Sequence, residues 1–109
     1  MQESKDIKYV VFGSPLSRKD LSQFMTLKTY VDTSHDTRAL MQSPEGKLYL
    51  YSWHEEMGFP NDSVHEHYFE VDNQEQSDRY SRVSMIEIKI HLPRYIHVSP
   101  DCKVTGVGV

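Results

Sequence analysis

Histidine is the residue type that most invites a chemical reading of this chain. Six of them stand among 109 residues, and imidazole both titrates near neutral pH and ligates metals. His65 and His67 flank Glu66 in a segment of strand character, so alternation puts both rings on one face, about 7 Å apart along the chain. Glu70 has the opposite parity from His67. A three-ligand metal site would need His54, with Glu55 and Glu56, or His97 to arrive from another element. The plainer reading is a pair of exposed histidines on a strand face, and the sequence assigns no metal ligands and no cofactor.

A second pattern pairs His35-Asp36-Thr37 with His97-Val98-Ser99. Two His-x-Ser/Thr units can act as acid and base on a phosphodiester while the hydroxyls hold its oxygens. The motif is short enough to recur by chance, and the residues around His35 are polar, not the apolar strand this chemistry is built on. Other catalytic signatures are absent from the sequence: it has no phosphate-binding Gly-rich loop, no Gly-x-Ser-x-Gly elbow and no His-Glu-x-x-His helix. Cys102 sits between Asp101 and Lys103, where a thiolate gains little. As the single cysteine it fits a reducing compartment.

Charge is distributed unevenly. Between His54 and Asp78 lie Glu55, Glu56, Asp62, Glu66, Glu70, Asp72, Glu75 and Asp78, with no Lys or Arg. The other 84 residues carry all 12 basic side chains and the remaining 8 of 16 acids. The net charge of -4 therefore combines one stretch at -8 with a remainder at +4. Such a run is either a solvated face neutralised from elsewhere in the fold or a docking surface for a basic partner. Trp53, Phe59 and Tyr68 lie in or beside the run, and aromatics among charges have the composition of an interface. Direct nucleic-acid binding is disfavoured, because it needs a positive, counterion-releasing face.

The elements that must position these groups can be read from periodicity. Ile7–Phe12 is β-branched and aromatic and reads as a central strand stopped by Gly13-Ser14-Pro15. Ser17 is a potential N-cap, and Leu21, Phe24, Met25, Leu27, Tyr30 and Val31 recur at spacings of three and four, which predicts a helix. Arg38–Gln42 and Lys47–Trp53 flank Ser43-Pro44-Glu45-Gly46, a hairpin turn. Leu48, Leu50 and Ser52 share one face of the second strand; Tyr49, Tyr51 and Trp53 share the other. Met57–Asp62 reads as a loop, Val64–Val71 as a strand and Asn73–Asp78 as an exposed loop. In Ser81–Leu92, Ile86, Ile88, Ile90 and Leu92 alternate with Glu87, Lys89 and His91, which predicts a long half-buried strand ended by Pro93. Tyr95–Val98 and Lys103–Val109 make a last strand pair.

These elements predict one α+β domain over residues 1–109, with a mostly antiparallel sheet of five or six strands and one principal helix packed on one face. A chain of this length holds one domain. No apolar run is long enough for a membrane helix, and the polar N-terminus and lone cysteine point to the cytoplasm. The functional expectation is a small non-enzymatic protein-binding module, an inhibitor or antagonist presenting an acidic, aromatic-rich surface to a basic partner such as a nucleic-acid-processing enzyme. Its binding residues are Trp53, Glu55, Glu56, Phe59, Asp62, Glu66, Tyr68, Glu70 and Asp72. The alternative is a metal-dependent or histidine-based hydrolase of phosphodiester-type substrates. A face carrying Tyr49, Tyr51 and Trp53 with no second helix to cover it also predicts a homodimer, unless His54–Phe59 folds back over it.

Overall fold

The structure is a computed structural model that describes residues 9–11, 14–16, 21–56, 63–98 and 104–107. Strands β1 (Tyr9–Val11) and β2 (Ser14–Leu16) form a two-stranded antiparallel sheet. The main sheet has six strands in chain order: β3 (Met25–Asp32), β4 (Asp36–Gln42), β5 (Leu48–Glu56), β6 (Ser63–Val71), β7 (Tyr95–Val98) and β8 (Val104–Val107). Every neighbouring pair is antiparallel. Helices α1 (Gln74–Tyr80) and α2 (Met85–His91) fill the connection from β6 to β7. The expected α+β class and antiparallel sheet are therefore present. No helix among the described residues is long and apolar enough to cross a membrane.

The β4–β5 hairpin forms where the turn residues demand it. Gly46 takes φ +94°, a region that an L side chain enters only at a cost. The Ser43 and Gly46 amides close the turn onto Lys47 O and Ser43 O.

Two expected elements exchange identity. The helix predicted from Leu21 to Val31 is in its larger part strand β3. Met25 and Leu27, which a helix would bury, are 59% and 47% exposed. The β-branched Thr26, Thr29 and Val31 favour the extended chain. Two register shifts, between Thr26 and Lys28 and between Thr29 and Val31, each add a residue to β3. Those bulges turn a two-residue period into spacings of three, which is what mimics a helix. The proposed cap at Ser17 lies outside the described residues.

Conversely, the alternating segment up to Leu92 is α2. Ile88 and Leu92 are buried, whereas Ile86 and Ile90 are 74% and 67% exposed, so burial follows a spacing of four. The Ser84 hydroxyl accepts from Glu87 N as the N-cap, and Pro93 follows the last turn. The polar stretch predicted as a loop is α1, capped by Asn73 Oδ1 accepting from Gln76 N. Nor is the first strand central: β1 pairs with β2 alone in its own small sheet.

Both faces of the main sheet bury apolar side chains. On one face Leu40, Leu50, Phe69 and Val71 pack with Ile88 of α2 and with Leu92, which caps it. Two short helices thus do the work expected of one. On the other face Leu21 and Phe24 cover Tyr49, Tyr68, Ile96 and Val98. Side-chain bonds anchor the helices. The Tyr30 hydroxyl donates to Asp78 of α1 and lies 3.0 Å from Ser77 Oγ, and Arg38 Nη1 donates to Ser81 O and Val83 O, at 3.1 and 2.6 Å.

Candidate functional site

Strand alternation sorts the polar side chains into two sites on opposite faces. The helix-covered face is apolar at one end and polar at the other. Cross-strand partners run Leu40–Leu50–Phe69–Tyr95 in one row, Arg38–Ser52–His67–His97 in the next and Asp36–His54–His65 in the last. Helix α2 lies over the apolar end, and where it meets the polar rows a cleft of about 220 Å³ opens, lined by His54, His65, His67, Met85, Lys89, Tyr95 and His97. Four of the six histidines thus converge, although three separate strands supply them.

Their rings stack along the sheet. His67 and His97 have centroids 4.6 Å apart, and His65 and His97 5.2 Å apart. His65 Nδ1 stands 3.0 Å from His97 Nε2, a hydrogen bond in which one ring donates and the other accepts. His67 is 3% exposed and stacks on Phe69. Burial first, and then the neighbouring charges of His97, Lys89, His54 and His65, push its pKa down to about 3. The same causes, burial foremost and then His65, Lys89 and His54, lower His97. Both rings are held as neutral imidazole.

Buried polar atoms without a hydrogen-bond partner also gather here. Asp36 Oδ1, Arg38 Nε, Ser52 Oγ and His67 Nδ1 are such atoms among the described residues, and all four residues lie in the two polar rows. Native interiors leave few such atoms, so each of these calls for a bound water, ion or ligand. Among the described residues no three His, Cys, Asp or Glu side chains stand in metal-ligating geometry, because the rings are stacked and their nitrogens do not converge on one point.

The paired His-x-Ser/Thr motifs do not come together. His35 lies at the β3–β4 turn, with Nδ1 2.8 Å from Glu55 Oε1. Glu55 has the parity of Tyr49 and Tyr51, whereas His97 has that of Tyr95 and faces the helices. The two histidines are on opposite sides of the sheet, so they cannot act on one substrate; Ser99 lies outside the described residues.

The acidic run is divided as well. Glu55, Glu66 and Glu70 share the face of Tyr49 and Tyr51, while Asp78 belongs to α1 on the other side. Glu70 is neutralised by Lys47, at 2.9 Å, and Arg94, at 3.5 Å. Asp78 bonds to Lys28 and Tyr30, and the Tyr30 bond above all holds its carboxyl below the usual range. Tyr68 is a core residue. Asp72 is exposed at the start of the helical connection. Trp53 stands opposite Glu66 across the β5–β6 ladder, partly exposed, with the Tyr51 hydroxyl donating to Glu66 at 3.2 Å. Trp53, Glu55 and Glu66 are thus the expected binding residues that the fold brings to one patch. Phe59, Asp62 and the Glu56 side chain lie outside the described residues.

Sequence reasoning passed over Ser52, Asp36, Arg38 and Lys89. The parity that puts Ser52 beside Leu50 was legible, but the register linking it to His67 and His97 was not. Lys89, expected on a strand's wet face, reaches the cleft from α2.

No protein-family model, curated protein or solved structure matches this chain.

Proposed function

We propose that the protein is a small non-enzymatic binding module that docks a basic protein surface through the patch of Trp53, Glu55 and Glu66. The placement of these three on one face, opposite the two helices of the β6–β7 connection, carries the reading. A partly exposed indole supplies apolar area, and flanking carboxylates steer and select a positive partner. Hydrogen bonds from Tyr51 to Glu66 and between His35 and Glu55 reduce the freedom those carboxylates lose on binding. A cytoplasmic inhibitor of a nucleic-acid-processing enzyme fits this chemistry, since such enzymes carry basic faces that an acidic mimic can occupy. The module binds no nucleic acid directly. The experiment is capture of partners by immobilised wild type, by Glu55→Lys with Glu66→Lys, and by Asp72→Lys with Glu75→Lys as a control of equal charge change. Loss of captured protein in the first double variant but not in the second is expected. Equal recovery by all three contradicts the reading.

A second reading, histidine-based hydrolysis of phosphodiester-type substrates, is favoured by the meeting of His65 and His97 at 3.0 Å in one cleft, where a neutral ring would serve as base and a ring protonated in the reaction as acid. It requires turnover of bis(p-nitrophenyl) phosphate that disappears in His97→Gln. Turnover unchanged by that substitution, or absent from the wild type, removes it.

A further inference from the structure

The histidine cleft has a composition opposite to that of the chain. The protein carries net charge -4, yet among the described residues no Asp or Glu lines this cleft, which gathers four imidazoles and the Lys89 ammonium. Asp36, one strand beyond His54 in the last row, is not among the lining residues. A cleft of about 220 Å³ is below the usual range for drug-sized ligands, roughly 300–1,000 Å³. It suits a small, compact ion with several acceptor oxygens.

We propose that this cleft binds a phosphate-class anion, either inorganic phosphate or the phosphoryl group of a small phosphomonoester, held by Lys89 and by the ring N–H groups of His54, His65, His67 and His97. The inference depends neither on the docking patch, which lies on the other side of the sheet, nor on turnover.

Three independent observations support it. The first is donor geometry. His65 Nδ1 and His97 Nε2 meet at 3.0 Å, so an anion oxygen that displaces this bond at the cleft can take an N–H from each ring once the accepting nitrogen is protonated. The second is His67, which lines the cleft at 3% exposure with its Nδ1 unpartnered; a buried polar atom of this kind is costly unless a ligand or solvent meets it. The third is electrostatic. Among the described residues the groups facing His67 and His97 are His54 from β5, His65 from β6, Tyr95 from β7 and Lys89 from α2, with Arg38 and Asp36 in the adjoining positions of β4. Burial first and then positive neighbours lower both imidazoles, and an anion reverses the electrostatic part. Binding therefore draws protons onto the cleft and strengthens as pH falls.

Lys89 is the fixed charge. Its Nζ lies 5.7 Å from the Tyr95 ring centroid, and its side chain is exposed and long enough to swing over the opening. Met85 and Tyr95 supply an apolar wall that lowers the local dielectric and strengthens each charge-assisted bond.

The test is calorimetric titration of inorganic phosphate into the full chain without a polyhistidine tag, at about pH 6 and about pH 8, either side of the ordinary imidazole pKa. Phosphate is expected to bind at both, more tightly at the lower pH, with proton uptake seen as a dependence of the heat on buffer ionisation. Lys89→Gln is expected to weaken binding about tenfold at both pH values, the loss of one charge-assisted contact. His97→Gln is expected to flatten the pH dependence, and Ile86→Ser, on the exposed side of α2, to change nothing. Absence of binding at both pH values, or equal binding by wild type and Lys89→Gln, overturns the proposal. So does stoichiometric zinc uptake by the wild type that is lost in His65→Gln while phosphate is without effect, since that outcome makes the cleft a metal site.

Discussion

At neutral pH His67 is held as neutral imidazole, because the sheet and α2 remove it from water and three further histidines and Lys89 surround it. In the unfolded chain the same ring titrates at the ordinary value of about 6.5. Between that value and about 3 the unfolded state therefore binds more protons than the native one. Stability is full above about pH 6.5 and falls as the pH drops through this window. Unfolding in urea is expected to lose a few kcal/mol between about pH 7 and about pH 4, at roughly 1.4 kcal/mol per pK unit. His67→Leu, which keeps an apolar side chain on Phe69 and Tyr95, is expected to flatten much of that slope. A wild-type profile that is level across this range contradicts the neutral, buried His67. The residue types at the cleft were legible in the sequence, but their meeting was not. Alternation placed His65 and His67 together; only the β5–β6 and β6–β7 registers bring His54 and His97 beside them.

Helix α2 is the element on which sequence and fold diverge most, and its side chains give a direct discrimination. If Ser81–Leu92 were a strand, Ile86, Ile88 and Ile90 would be buried alike. In the helix only Ile88 reaches the core formed by Leu50 and Phe69. Ile88→Ala is therefore expected to cost about 2–5 kcal/mol, whereas Ile86→Ala and Ile90→Ala stay within about 0.5 kcal/mol. Ser84→Ala, which removes the cap on Glu87 N, is expected to cost about 1 kcal/mol. Chemical denaturation of the four variants checks this; equal losses at the three isoleucines would restore the strand. The cap Ser84 with Glu87 three residues later, followed by Met85, Ile88 and Leu92 at spacings of three and four, was the available helix signal. Strict alternation of isoleucines masked it. In β3 the reverse happened, since two bulges gave a strand the spacing of a helix. The β4–β5 hairpin was legible because its turn chemistry is local: Gly46 sits at φ +94°, and Gly46→Ala there is expected to cost about 1–2 kcal/mol.

At the scale of the molecule, the six-stranded meander separates two chemistries by the thickness of a sheet. One face carries imidazoles and Lys89 beside the helices; the other carries Trp53, Glu55 and Glu66. The acidic run is not one patch, because Asp78 sits on α1 across the sheet from Glu55 and Glu66, and ion pairs with Lys47, Arg94 and Lys28 neutralise Glu70 and Asp78. The aromatic face is likewise smaller than it looked. Tyr49 is 3% exposed, covered by Leu21 and Phe24 of its own chain, and burial foremost, with Glu70 next, pushes its pKa up to about 12. A homodimer through this face would have to rest on Tyr51 and Trp53, and it would compete with the partner for the same patch. Sedimentation equilibrium of the isolated chain separates the two cases, since a mass of one chain leaves the patch free for a partner.

The most direct test of the docking account is the association rate of the captured partner, measured on immobilised protein over a series of salt concentrations. Steering by exposed carboxylates acts within about 10 Å at moderate salt and is screened as ionic strength rises. The account predicts that the wild-type on-rate falls steeply with salt. It predicts that Glu55→Lys with Glu66→Lys lowers the rate at low salt and removes the dependence, and that Trp53→Ala leaves the on-rate in place but speeds dissociation. An on-rate that is indifferent to salt and to the double reversal would contradict it.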